Sequence, residues 1–256
     1  MAEDWKLVQK PDREYGRAAM RIAATQYGKF WYFSQDAIGQ RISRGEFHDE
    51  FLRPYLDRLK LGDVFVDVGA NIGFLSVYAS KRGATVHAYE PSREVAQLLM
   101  QNAVENDCLR FKVVAKALYD KKCRLGINKK WMAVEHEDDI HYKDLPNSGG
   151  MSLVRNDAGE FFAEPLDAYN FPKISLLKVD TQGADLRVLV GAVETIKRCQ
   201  PTILFEFEDG GRGRNASGDG LVDFEAFLHQ LDYRMTKINT GEFGTDWVAE
   251  PMERVA

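Results

Sequence analysis

Three carboxylates hold positions from which they could do chemistry. Asp67 sits in the apolar run Val64-Phe65-Val66-Asp67-Val68, directly before the glycine turn Gly69-Ala70-Asn71-Ile72-Gly73. Glu90 ends a second apolar run, Val86-His87-Ala88-Tyr89, and Asp180 ends a later one, Ile174-Ser175-Leu176-Leu177-Lys178-Val179. A carboxylate about 20 residues past a glycine turn, at the tip of the next strand, is placed to accept hydrogen bonds from ribose hydroxyls. A carboxylate just before the turn repels phosphate and attracts an ammonium group. One at the carboxyl end of a strand stands where open parallel sheets bind ligands, and it can take a proton there. The three together describe a site for a nucleoside that carries an amine and no phosphate.

The elements that must hold these groups follow from the same residues. The β-branched run Val64–Val68 suits a strand buried on both faces of a parallel sheet. Gly69 turns the chain, Ala70 and Asn71 leave backbone N–H groups open to a ligand, and Gly73 lets the following helix pack close. A pyrophosphate loop would need G-x-G-x-x-G, but Asn71 stands at the second glycine position and Phe74 at the last. S-adenosylmethionine has an α-amino group, a sulfonium and a ribose without phosphate, so it is the cofactor these residues fit. The expected cofactor set is Asp67, Gly69, Ala70, Asn71, Gly73, Phe74, Glu90 and Pro91, with Ala117 and Leu118 at the end of the third strand, and Asp180. For an acceptor hydroxyl, Asp180 is the candidate base, with a cofactor contact or a helix cap over Thr181–Gly183 as the alternative role. Lys178, two residues earlier on the same strand face, pairs with Asp180 or is structural. Glu206 is a second candidate base, or a buried hydrogen-bond anchor.

The 256 residues, 45% hydrophobic and 29% charged, suffice for one sizeable core. A net charge of −5 gives no global footprint for nucleic acid or an anionic membrane, although Arg212 and Arg214 form a local basic pair. Cys108, Cys123 and Cys199 are too scattered for a disulfide framework or a zinc site, which fits a reducing cytosol. No apolar run is long enough to span a bilayer, and the amino terminus lacks an apolar signal core, so a cytoplasmic location without membrane contact is expected.

Residues 1–60 read as an N-terminal extension packed on a catalytic domain over 61–256. A helix is expected around Tyr15–Gln26, an aromatic hairpin over Gly28–Ile42, and a helix over Glu46–Leu59 with Pro54 as an irregularity. Beyond Glu90, Ser92 caps a helix to Asn106, and strands follow at Phe111–Leu118, Ile174–Asp180 and Pro201–Glu208. Asp209–Gly220 reads as a mobile lid or a disordered loop, ahead of a helix at Leu221–Leu231 and strands at Tyr233–Ile238 and Asp246–Ala249. The run Glu135-His136-Glu137-Asp138-Asp139-Ile140-His141 resembles a solvated charged loop more than a ligand set, so no metal is expected. Asn147–Leu153 is a glycine-rich turn that borders a pocket or simply lies on the surface.

Several linked segments resemble the FkbM family of S-adenosylmethionine-dependent methyltransferases. They are Leu61-Gly62-Asp63, Val66–Gly73, Tyr89-Glu90-Pro91-Ser92, Lys178-Val179-Asp180-Thr181-Gln182-Gly183-Ala184-Asp185, Val188–Ala192 and Pro201–Glu206. The first glycine motif alone indicates only the class I methyltransferases, whereas the segment after Lys178 is more particular. The resemblance implies an α/β fold of the class I, Rossmann-like kind, with a seven-stranded, mostly parallel sheet and helices on both faces. It also implies O-methylation of a hydroxyl on a sugar, glycan or other small molecule. The family usually carries Glu at the positions of Gln182 and Asp185, a departure that matters if Gln182 faces the pocket. Two rival readings are a nucleic-acid (RNA, DNA) or protein methyltransferase, using Arg212, Arg214 and the aromatics Phe30–Phe33, and a cofactor-binding subunit without catalysis. The acidic net charge disfavours the first, and intact Asp67, Glu90 and Asp180 disfavour the second.

Overall fold

The computed structural model describes residues 20–34, 36–127, 152–209, 212–241 and 244–252. Strands β1 (Met20–Thr25) and β2 (Gly28–Phe33) form a hairpin closed at Gln26-Tyr27, with Thr25 opposite Gly28. Helix α1 (Ala37–Ser43) is capped by Asp36, whose carboxylate accepts from the Gly39 N–H at 2.7 Å. A 3₁₀ turn at Glu50–Leu52 runs into the one-turn helix α2 (Arg53–Leu56). The core then follows as β3 (Val64–Val68), α3 (Phe74–Lys81), β4 (Thr85–Tyr89), α4 (Arg93–Glu105), β5 (Phe111–Val114), β6 (Ala117–Leu118), β7 (Cys123–Ile127), β8 (Leu153–Arg155) and β9 (Phe161–Glu164). It is completed by β10 (Leu176–Val179), α5 (Asp185–Val190), α6 (Val193–Cys199), β11 (Thr202–Glu208), α7 (Leu221–Gln230), β12 (Tyr233–Thr240) and β13 (Gly244–Pro251).

The main sheet has seven strands in the order β12-β13-β11-β10-β3-β4-β5, and only β13 runs against its neighbours. Side chains alternate between its two faces. Phe65, Leu176 and Leu204 join the cluster formed with α3, α4 and the N-terminal aromatics, while Val66, Val68, Leu177, Val179, Ile203 and Phe205 join the one formed with α5, α6 and α7. The strand order reverses between β3 and β10, and a ligand crevice belongs outside their carboxyl ends. A second, four-stranded sheet, β6-β9-β7-β8, lies beside that rim. Among the described residues, no helix is long and apolar enough to cross a membrane.

Several expectations need correction. Met20–Thr25 is a strand, not the end of a helix, because it pairs along its whole length with β2; residues 15–19 lie outside the described ones. The hairpin therefore turns at Gln26-Tyr27, and residues 37–42, expected within it, belong to α1, which Asp36 caps. The apolar spacing over Glu46–Leu59 is real, since Phe47, Leu52, Leu56 and Leu59 are all buried, yet it is not one helix. Pro54 has no N–H to give a preceding turn, so it occupies the first turn of α2. Phe111–Leu118 divides: β5 stays in the main sheet, and Ala117–Leu118 leaves it to pair with β9. The expected lid is, over 212–220, a docked turn. Asn215 and Asp219 are buried, the Ser217 N–H donates to the Gly183 carbonyl at 3.1 Å, and Arg187 pairs with Asp219. The charged run 135–141 and the turn at 147–151 lie outside the described residues.

The hairpin is held to the core by two asparagines four residues apart on α4. Asn102 accepts from the Trp31 N–H at 2.7 Å and donates to the Trp31 carbonyl at 3.0 Å and the Ile72 carbonyl at 2.8 Å. Asn106 accepts from the Lys29 N–H at 3.0 Å and donates to the Lys29 carbonyl at 2.6 Å. Residues i and i+4 of a helix thus meet residues i and i+2 of a strand edge. Replacing the fully buried Asn102 by Leu leaves three backbone groups without partners, and should lower stability by about 2–4 kcal/mol, measured as a fall in the urea midpoint at unchanged slope.

Candidate active site

The glycine turn is built by contacts that tolerate no larger residue. The N–H groups of Gly69 and Ala70 both donate to the Tyr89 carbonyl at 3.0 Å, which bends the chain over the end of β4. Gly69 has φ 77°, and a Cβ there would lie 1.8 Å from the Asp180 carbonyl oxygen. The ends of β3 and β10 therefore touch. Asn71, at φ 51°, turns its backbone N–H onto Glu90 Oε2 at 3.1 Å, and the Ser92 N–H donates to Glu90 Oε1 at 3.0 Å. Burial lifts the Glu90 carboxyl to about 7, an effect these two donors only partly offset.

Lys178 stands opposite Asp67 in the parallel register of β10 with β3. Its ammonium reaches the Gly69 carbonyl at 3.0 Å, Asp180 Oδ2 at 3.2 Å and Asp67 Oδ1 at 3.4 Å. Burial works against this cation, but the carboxylates of Asp180, Asp67 and Asp49 outweigh it, and Lys178 stays charged well above the usual range. Asp67 is only 1% exposed and also accepts from Ser76 Oγ at 2.7 Å. Its carboxylate meets Lys178 because the strand register puts the lysine beside it.

Burial opposes charge on Asp180 as well, yet Lys178 and hydrogen bonds from Gln182 and Glu206 hold its carboxyl below the ordinary carboxylate range. Glu206 is the reverse. Burial and the neighbouring carboxyls of Asp180, Asp185, Glu208 and Asp246 push it well above that range. Asp185 closes the loop between β10 and α5, accepting from Thr181 Oγ1 at 3.1 Å and the Gly183 N–H at 3.2 Å, and burial raises it to about 8. Asp180 is thus no cap for Thr181–Gly183, since Asp185 takes that part.

Two cavities meet here. The first, about 1060 Å³ of open space, is lined by every residue of the expected cofactor set, from Asp67 to Asp180, and also by Lys178. The second, about 1390 Å³, is lined by Glu206, Glu208, Asn239 and Asp246. Their shared wall is made by Ile38, His48, Asp49, Lys178, Asp180 and Gln182. His48, Asp49 and Asp246 were not expected. His48 Nε2 lies 3.2 Å from Asp49 Oδ2, and Asp49 adopts φ 57°, a costly backbone for a non-glycine residue. Burial keeps His48 neutral by lowering its pKa and raises those of Asp49 and, to about 6, Asp246. The signal in the sequence was a polar His48-Asp49 pair set between the apolar Phe47 and Phe51.

The residues fit S-adenosylmethionine. Glu90 stands at the tip of β4 over the cavity, and Lys178 beside the turn is already bound to two carboxylates and a carbonyl, so it is not free to neutralise a pyrophosphate. Fold and site together define a class I S-adenosylmethionine-dependent methyltransferase. Residues 67–235 match the methyltransferase FkbM domain, and the chain belongs to that family. It is 28% identical over 184 residues to a 31-O-demethyl-FK506 methyltransferase FkbM of Streptomyces tacrolimicus, covering 59% of this chain and 68% of that one. It is similar to the methyltransferase FkbM of Methylobacillus flagellatus KT, with 19% identity and a TM-score of 0.49 over 75% of this chain and 44% of that chain, so it spans under half of that protein. A magnesium protoporphyrin IX methyltransferase of Synechocystis PCC 6803 with bound S-adenosylmethionine is similar at 11% identity and a TM-score of 0.48, over 84% of each chain.

Replacing Lys178 by Met leaves buried Asp67 and half-buried Asp180 without their counter-ion. We expect a loss of about 3–5 kcal/mol in denaturant unfolding, partly recovered when Asp67→Asn is added.

Proposed function

We propose that this methyltransferase modifies a hydroxyl group of a small molecule or glycan, that the first cavity holds the cofactor and the second the acceptor, and that Asp180 is the base. The observation that carries this reading is the position of Asp180, which faces both cavities from their common wall. S-adenosylmethionine supplies a methyl group made electrophilic by its sulfonium. Around it, ionised Glu90 accepts hydrogen bonds from the ribose hydroxyls, while Pro91, Ala117 and Leu118 line the same cavity. Lys178 and Asp67 hold the turn and Asp180 in register. The acceptor hydroxyl donates to the Asp180 carboxylate, which orients the oxygen lone pair towards the methyl group and takes the proton as the new bond forms. The Streptomyces tacrolimicus relative is named for a 31-O position, which supports oxygen as the acceptor atom.

The nucleic-acid reading has less support. Phe30, Tyr32 and Phe33 are buried in the hairpin core, where they cannot stack on bases, and Arg214 donates to the Gly218 carbonyl at 2.6 Å.

Two measurements test the assignment. Asp180→Asn should reduce labelled methyl transfer into small-molecule and glycan fractions of a cell extract by about 10²–10⁴-fold, with cofactor affinity by titration calorimetry held within a few-fold. A wild-type rate for this variant removes Asp180 as the base. The Glu90 carboxyl binds ribose hydroxyls in its ionised form, and that form is lost as pH falls through about 7. Cofactor affinity should be full above that pH and weaken by about tenfold per pH unit well below it, whereas Glu90→Gln should bind more weakly and with no such slope.

A further inference from the structure

Gln182 stands between Asp180 of the shared wall and Glu206 of the second cavity. Its Nε2 lies 3.1 Å from Asp180 Oδ1 and 3.3 Å from Glu206 Oε2. A primary amide nitrogen has two hydrogens, so each carboxyl receives one. The opposite orientation would set the amide carbonyl against the ionised Asp180 carboxylate, a repulsive contact. The backbone at Gln182 adopts φ 55°, a conformation that disfavours a side chain, and the loop around it is pinned. Asp185 accepts from the Thr181 hydroxyl and the Gly183 N–H, and the Ser217 N–H donates to the Gly183 carbonyl from the docked turn.

The two acids live in different fields. Lys178 touches Asp180 Oδ2 at 3.2 Å, so Asp180 receives a cation on one oxygen and the Gln182 amide on the other. Glu206 faces carboxyls instead: Asp180 from the end of β10, Asp185 from α5, Glu208 from its own strand and Asp246 from β13. The remaining charged groups, Asp67 on β3 and the His48-Asp49 pair before α2, lie on the Lys178 side.

We propose that Gln182 is a positioning residue that locks Asp180 and Glu206 into a pair carrying a single proton, with the charge on Asp180 and the proton on Glu206. This rests on the reading of Asp180 as the acceptor-side base and deepens it. The pair presents one anion to an acceptor hydroxyl, while neutral Glu206 keeps a second negative charge away from Asp180 on the side of the second cavity. The directions of titration agree, with Asp180 held low and Glu206 held high.

The test needs no acceptor. Carboxyl carbons of ¹³C-labelled Asp and Glu are followed by NMR against pH, with Asp180→Asn and Glu206→Gln used to assign the two resonances. In the wild type, Asp180 should titrate below and Glu206 above the ordinary carboxylate range. In Gln182→Leu the Asp180 titration should rise by about one pH unit, because one of its donors is gone, and Gln182→Glu should raise both by adding a third carboxyl. A wild type in which both groups titrate together in the ordinary range overturns the proposal without any variant. So does an Asp180 titration that stays unmoved in folded Gln182→Leu. Calorimetry with S-adenosylmethionine on the same samples keeps the two readings apart, since lost cofactor binding in the wild type speaks against the site assignment and leaves the titration result standing.

Discussion

The contact of the Lys178 ammonium with Asp67, Asp180 and the Gly69 carbonyl is what the rest of the site depends on. One ammonium meets a carbonyl and two carboxylates, which belong to two neighbouring strands and the turn between β3 and α3. A buried cation so arranged contributes little net stability once desolvation is counted, but removing it leaves the Asp67 charge in a place where water cannot reach it. The penalty for the wrong arrangement is what fixes the right one. The sheet register that puts Lys178 beside Asp67 also puts Gly69 against the Asp180 carbonyl, so the cradle and the acid are set by one geometry.

Around that contact the carboxyls divide by environment rather than by type. Asp180 gains a cation and stays ionised. Glu206, Asp185 and Glu90 gain burial faster than they gain donors, and their pKa values rise. For the empty protein this has a direction. Groups with raised values contribute stability at pH below their ordinary range and lose it as pH climbs through the folded value, so Glu90 and Asp185 make the empty protein less stable between about pH 4 and 8. Where Glu90 is concerned, that loss falls on a carboxyl that lines the first cavity, and such perturbed groups are common at functional sites.

Much of this was legible in the residues. The strand at Val64–Val68, the turn at Gly69–Gly73, Glu90 and Asp180 are local patterns, and each maps onto an element where the spacing put it. What was not legible is non-local. The Asp67 side chain was read from its place before the turn, and the residue that decides its orientation lies on another strand. Pro54 and the buried phenylalanines gave helical spacing to a segment whose backbone is mostly irregular, because a packed aromatic cluster needs burial and not a helix. His48 and Asp49 line both cavities from that segment, and no short-range pattern links them to a strand end more than a hundred residues later. Ala117 and Leu118 line the first cavity, but from a second sheet.

Asn102 joins two parts of the molecule that share no strand pairing. One hydrogen of its amide goes to Trp31 in the hairpin, and the other goes to Ile72 inside the glycine turn. The N-terminal hairpin is consequently wired to the glycine turn through this side chain, beside the packing of Tyr27 and Phe30 on Phe74. Anything that lifted the hairpin, whether a ligand wedged beneath it or a partner that competed for its edge, would be felt at the cradle as slack in the turn that carries Asn71 to Glu90.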